Sequence, residues 1–209
     1  MIDHQPGLRF LAAADPAMAA LIDHHGPPDV RRTRNAFRTL ARAIIYQQLS
    51  GKAAGTIYAR FVALYPGRRF PRPRDVTQTP LSTLRSVGLS AQKASYLHDL
   101  AGRFCDGTIR TRHFARLTDD DLATLLCQVK GIGPWSVDMF LIFGLARPDV
   151  LPVGDLGIRR GMMRFFSLPA LPAPAEMRDL AAPWRPFRSL ASWYMWRVAE
   201  TDPPVDRNL

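Results

Sequence analysis

Only two cysteines, Cys105 and Cys127, occur in 209 residues. Two thiols cannot build a disulfide framework, and an iron–sulfur cluster ordinarily takes four thiolates. The five histidines (His4, His24, His25, His98 and His113) show no metal-ligand spacing and read as surface or capping residues, so no metal is expected. No apolar run approaches the length of a membrane span, and the opening MIDHQPGLRF lacks the apolar stretch of a secretion signal. An intracellular, cytoplasmic protein without a membrane partner is therefore expected. A Walker-type phosphate loop, a dinucleotide fingerprint and a Gly-x-Ser-x-Gly elbow are also missing, which sets aside the commonest nucleotide-dependent enzymes and serine hydrolases. Lysine is scarce too, at Lys52, Lys93 and Lys130 only.

What is abundant is arginine. The 28 basic residues outnumber 18 acidic ones and give a formal net charge of +10. An excess of this size suits a polyanion, because each phosphate neutralised releases a counterion. It is equally compatible with an arginine-rich solvated surface, so charge alone does not decide the partner.

The patterning is helical nearly throughout, with no convincing alternation at period two, and the fold class expected is all-α. Asp15-Pro16 opens a helix that ends at Gly26, with the aspartate as N-cap and the proline in the first turn. From Asn35, the residues Phe37, Leu40, Ala41, Ile44 and Ile45 recur at helical spacing. Ser50 caps a helix whose expected buried side carries Ala53, Ala54, Ile57, Phe61 and Leu64. Thr79-Pro80 opens a short helix that stops at Gly88, and Ser90 caps another ending near Gly107. Thr118-Asp-Asp-Asp121 is a capping box ahead of the stripe Leu122, Leu125, Leu126 and Val129. A helix apolar almost all round is expected from Pro134 through Leu145, and a last amphipathic one carries Phe187, Leu190, Ala191, Tyr194 and Val198. Proline-rich stretches at 67–73 and 168–174 read as irregular loops, and the tail from Thr201 reads as loose.

The segment Leu126-Cys-Gln-Val-Lys-Gly-Ile-Gly-Pro-Trp-Ser-Val-Asp-Met-Phe140 joins two of these helices through Lys130-Gly131-Ile132-Gly133. Both glycines are able to adopt positive φ there, which would let backbone N–H groups approach a phosphate. An ordinary helical hairpin with no ligand has the same Gly-x-Gly. The stretch Arg147-Pro-Asp-Val-Leu-Pro-Val-Gly-Asp155-Leu-Gly-Ile-Arg-Arg160 follows. By itself Asp155 reads as a helix N-cap. Asp138 reads as a structural hydrogen-bonding residue and Asp149 as turn chemistry.

Together these two segments resemble the hairpin and catalytic loop of the helix-hairpin-helix DNA glycosylases, most closely the 3-methyladenine DNA glycosylase II group. Three further blocks agree: Ile44-Ile-Tyr-Gln-Gln-Leu-Ser50, Leu84-Arg-Ser-Val-Gly-Leu-Ser-Ala-Gln-Lys93 and Trp184-Arg-Pro-Phe-Arg-Ser189. The blocks span most of residues 35–197. The resemblance implies two helical lobes flanking a cleft, with double-stranded DNA across their mouth. One lobe would be residues 36–147, including the hairpin at about 119–146. The other would combine 1–35 with 148–209. The additional N-terminal mixed domain of some larger members is not expected, since little chain precedes Asn35.

The implied activity is removal of alkylated purines from duplex DNA by base flipping, by a monomer acting at the nucleoid. Asp155 would be the catalytic carboxylate. Trp135 stands where lyase-competent relatives carry a lysine, which implies hydrolysis without strand cleavage. Trp135, Phe187, Trp184 and Met139 would line the base pocket, with the core as an equal alternative for Phe187 and Trp184. Gln48 would fill the gap left by the flipped base, helped by Gln47, unless both merely solvate a helix end. Ser50, Lys52, Lys93, Lys130 and the amides of Gly131 and Gly133 would contact the DNA backbone. No cofactor is required, and the resemblance admits a monovalent cation at the hairpin. A non-catalytic DNA-binding module and a glycosylase for another damaged base are the alternatives.

Overall fold

The structure, a computed structural model, describes residues 3–30, 32–33 and 35–200. It is all helical, as the patterning predicts, and no strand forms among those residues. The helices are α1 (Gln5–Ala14), α2 (Pro16–His25), α3 (Ala36–Tyr46), α4 (Gly51–Ala63), α5 (Pro73–Thr77) and α6 (Leu81–Ser86). They continue as α7 (Ala91–Cys105), α8 (Asp119–Leu126), α9 (Pro134–Met139), α10 (Leu156–Phe165), α11 (Pro174–Leu180) and α12 (Arg188–Glu200). No helix among the described residues is long and apolar enough to cross a membrane.

Local chemistry sets most of the starts. The side chains of Asp15, Asn35, Ser50, Ser90 and Thr118 each accept a hydrogen bond from a backbone N–H in the first turn of the helix that follows. Such caps satisfy donors that a helix leaves without an internal partner, at about 1 kcal/mol each. Thr118 and Asp121 form the reciprocal capping box.

Four features depart from the sequence expectations. The helix α1 was not expected; only Gly7, Leu8 and Leu11 of it are buried, too short a stripe to stand out in an alanine-rich stretch. Only Ala54 and Phe61 of α4 are fully buried, while Ala53 faces solvent. The helix from Pro134 does not run uniformly to Leu145: after Met139 it widens into a π-helical turn over Phe140–Gly144. Asp149 is no simple turn residue, since its carboxylate takes Nε of Arg188 at 2.6 Å and Nη2 at 2.9 Å. The tail from Thr201 lies outside the described residues.

The chain forms two compact units, Thr33–Phe140 and Met1–Arg32 with Leu141–Leu209. In the first, α7 packs against α3, α5 and α6, burying Leu40, Ile44, Leu84, Leu97 and Leu100 completely. In the second, α10 lies against α12, and Met162, Phe165, Trp184, Tyr194 and Met195 form its core with Leu11 and Met18. The α10–α12 crossing is close enough that a Cβ on Gly161 would run into the backbone carbonyl of Met195.

That contact makes Gly161 a sensitive position. Gly161→Ala should cost about 1–3 kcal/mol, the usual cost of overpacking, and lower Tm by roughly 2–4 °C per kcal/mol in thermal unfolding. In Gly102→Ala, where no atom lies within 4 Å of the added Cβ, removal of a helical glycine should instead leave Tm equal or raised.

Candidate active site

Within Thr33–Phe140, the hairpin turn between α8 and α9 is held by its own backbone and by neighbours. Ile132 N donates to Val129 O at 3.0 Å, and the Ile132 side chain is buried, as a turn anchored in the core requires. Gly131 has φ +81°, and a Cβ there would collide with the ring of Tyr96. Gly133 is different: its φ is −108° and an added Cβ would touch nothing, so only one of the two glycines uses positive φ. Lys130 is exposed, and its backbone N–H donates to Asp99 at 2.9 Å. Asp99 is fixed in turn by Nε of Arg103 at 3.1 Å.

The same unit joins that turn to the end of α3. The side-chain amide of Gln47 donates to the carbonyl of Gly131 at 2.6 Å. The ammonium of Lys93 donates to the carbonyls of Ile45 at 2.9 Å and Gln47 at 2.6 Å. It thus satisfies acceptors that a helix C-terminus leaves open, and desolvation lowers its pKa from the ordinary lysine value. This corrects the expectation of a direct backbone contact: the Lys93 ammonium is directed inward to α3. Gln47 is likewise bound to the hairpin. Gln48 is exposed, with φ +54°, next to exposed Leu49. Ser50 is exposed and caps α4, and Lys52 is exposed in its first turn.

Within the other unit, Asp155 is the N-cap of α10. Its Oδ1 accepts the N–H of Ile158 at 2.8 Å and the indole N–H of Trp196 at 2.9 Å. The side chain is buried, at 8% exposure. The loop leading to it is tied to the start of α12. Ser189 Oγ donates to Arg147 O at 2.6 Å and accepts from Val150 N at 2.9 Å, and Ser192 Oγ donates to Val150 O at 3.3 Å. The Asp149–Arg188 pair completes this fastening.

The aromatic candidates separate. Trp135, in the first turn of α9, is 49% exposed, and Met139 at its end is partly buried. Trp184 is a core residue at 1% exposure, stacked on Phe166 with 5.5 Å between centroids. A ligand has no face of it to meet. Phe187 is partly buried and lines an apolar cavity of about 200 Å³ with Gly7, Val30, Ile142, Pro148 and Leu190. Asp155 is not among the walls of that cavity.

Trp196 is the residue that sequence reasoning missed. The apolar stripe of α12 runs through Leu190, Ala191, Tyr194 and Val198, and Trp196 stands off it. Phe143 was also missed; the π-helical turn leaves it 40% exposed, its ring stacked on that of Trp196 at 5.5 Å and 29°.

Residues 41–186 match the model of the HhH-GPD superfamily base excision DNA repair proteins. DNA-3-methyladenine glycosylase 1 of Schizosaccharomyces pombe is 34% identical over 184 residues, covering 88% of this chain and 81% of the relative. Among solved structures, a 3-methyladenine DNA glycosylase from Schizosaccharomyces pombe in complex with abasic DNA aligns with a TM-score of 0.81 at 33% identity. That alignment covers 94% of this chain and 98% of the other. A DNA-3-methyladenine glycosidase from Bacillus halodurans aligns with a TM-score of 0.84 at 28% identity, over 94% and 90% of the two chains. The chain belongs to the HhH-GPD superfamily of base excision DNA repair proteins.

Proposed function

We propose that the protein is a monofunctional DNA glycosylase that hydrolyses the bond between deoxyribose and an alkylated purine in duplex DNA, with Asp155 as its catalytic carboxylate. The observation that carries this reading is the setting of Asp155, buried and held by donors from two helices, in a chain of this family. Breaking an N-glycosidic bond builds positive charge on the sugar, which a fixed carboxylate stabilises. The C1′–N bond breaks with its electron pair leaving on the base, and a water oxygen bonds to C1′. A ring-alkylated cationic purine departs neutral, so it needs no proton from an acid, and the proton lost by water passes through the carboxylate to solvent.

Other residues take supporting parts. Trp135 offers an exposed, electron-rich indole face on which an electron-poor or cationic purine stacks well. An indole cannot form a Schiff base, so strands are left abasic but intact. The bare backbone at Gly133, where no neighbour demands a glycine, suits close approach of a DNA phosphate, with exposed Lys130 and Lys52 adding charge. Gln48 fills the space left by the flipped base. No cofactor takes part; a monovalent cation at the hairpin would use carbonyl oxygens of the turn, of which that of Gly131 already accepts Gln47. The protein acts as a monomer.

Three experiments test this. Asparagine caps a helix as well as aspartate does, so Asp155→Asn should fold normally. It should lose about a hundredfold or more in release of methylated purines from methylated duplex DNA. Equal release by both proteins would remove Asp155 from the mechanism. Release by neither, with salt-dependent duplex binding kept, would indicate a non-catalytic module or another lesion. In the second, Trp135→Ala should keep its Tm, since half the side chain is exposed, while kcat/KM for 7-methylguanine falls about tenfold, the scale of a cation–π contact. Borohydride should trap no wild-type protein on the DNA.

A further inference from the structure

Asp155 has more holding it than a helix cap needs. A capping side chain is satisfied by N–H groups of its own first turn, and Ile158 supplies one at 2.8 Å. The second donor on the same oxygen comes from another helix: the Trp196 indole, at 2.9 Å. The two bonds reach Oδ1 from different elements, and together they restrict the torsions of the carboxylate. The surroundings leave room for this contact. Gly157 stands beside it, and a Cβ there would lie 2.9 Å from Trp196 Cδ1 and 3.0 Å from Asp155 Oδ1. On the indole itself stacks the exposed ring of Phe143.

We propose that Trp196 is a positioning residue for Asp155, its indole N–H fixing the carboxylate in the orientation that base release requires, with Phe143 steadying the indole. The proposal rests on the reading of Asp155 as the reacting carboxylate. A neutral N–H donor suits this task, since it orients an anion without cancelling its charge. Tryptophan adds what a smaller donor lacks, a rigid ring whose face takes the stacked Phe143 ring.

The test compares wild type with three proteins: Trp196→Phe, a protein with benzothienylalanine at position 196, and Asp155→Asn. Benzothienylalanine keeps the bicyclic shape and the stacking on Phe143 but carries sulfur in place of the N–H. The readouts are the single-turnover rate of 7-methylguanine release at saturating protein, affinity for abasic duplex, and Tm. Removing the N–H should slow release roughly tenfold to a hundredfold, the worth of a hydrogen bond to a charged group. Affinity should be unchanged, and the Tm of the benzothienylalanine protein should fall only by the few degrees that one lost hydrogen bond costs. Release at the wild-type rate from that protein, with Asp155→Asn inactive, would overturn the positioning role and leave the assignment of Asp155 standing. Wild-type release by Asp155→Asn would overturn both. A slowed rate matched by an equal loss of affinity would also overturn it, since the indole would then serve binding.

Discussion

The close approach of α10 to α12 is the constraint on which the candidate site in this unit depends. Gly161 is the residue that permits it, because any side chain there meets the Met195 carbonyl. One residue beyond Met195, Trp196 leaves the core and reaches the cap of α10. At the other end of α12, Arg188, Ser189 and Ser192 seize the strand of chain that leads from the π-helical turn to Asp155. The loop is thus fastened near its start by charge and hydroxyl bonds and at its finish by an indole. Irregular backbone has no hydrogen-bond ladder of its own, so a side chain carried on it keeps its place only with such support.

The other unit solves a related problem at α3. A helix C-terminus presents carbonyls that repel an approaching phosphate, and the expected wedge, Gln48, sits just beyond one. Lys93 places its ammonium on the Ile45 and Gln47 carbonyls and removes that liability. Gln47 then ties the same backbone to the hairpin, so the turn and the end of α3 share one support. Arginine would serve less well, since its planar fork is shaped for two parallel acceptors, whereas ammonium donors can diverge toward carbonyls two residues apart. In a chain whose cations are nearly all arginine, one of three lysines is used here.

Much of this was legible in the sequence because it is local. Ser, Thr and Asp before apolar stripes mark helix starts, and the four caps at Asp15, Ser50, Ser90 and Thr118 form as read. Asp155 as the cap of α10 is local in the same sense. What escaped is non-local or geometric. The partner of Asp155 lies 41 residues away on a helix whose stripe points elsewhere. The π-helical turn adds a residue to a turn without any change in composition, and so moves Phe143 outward from a run that reads as uniformly buried. Trp184 and Phe187 share one short block, yet one is sealed in the core and the other borders a cavity. Spacing along an irregular segment does not determine which way a ring turns.

The treatment of two nearby aspartates shows what distinguishes the site from scaffolding. Asp149 is given to Arg188, a bidentate pair that fixes position and spends the negative charge locally. Asp155, six residues on, has on its Oδ1 a peptide N–H and an indole N–H. Both are neutral dipoles, which hold that oxygen without adding a positive charge to it. Under the proposed function that difference matters, because the attraction between a carboxylate and a cationic sugar is strongest where water is excluded. Anchoring a chain and stabilising a cation call for different partners, and the two aspartates of this short loop differ in that way.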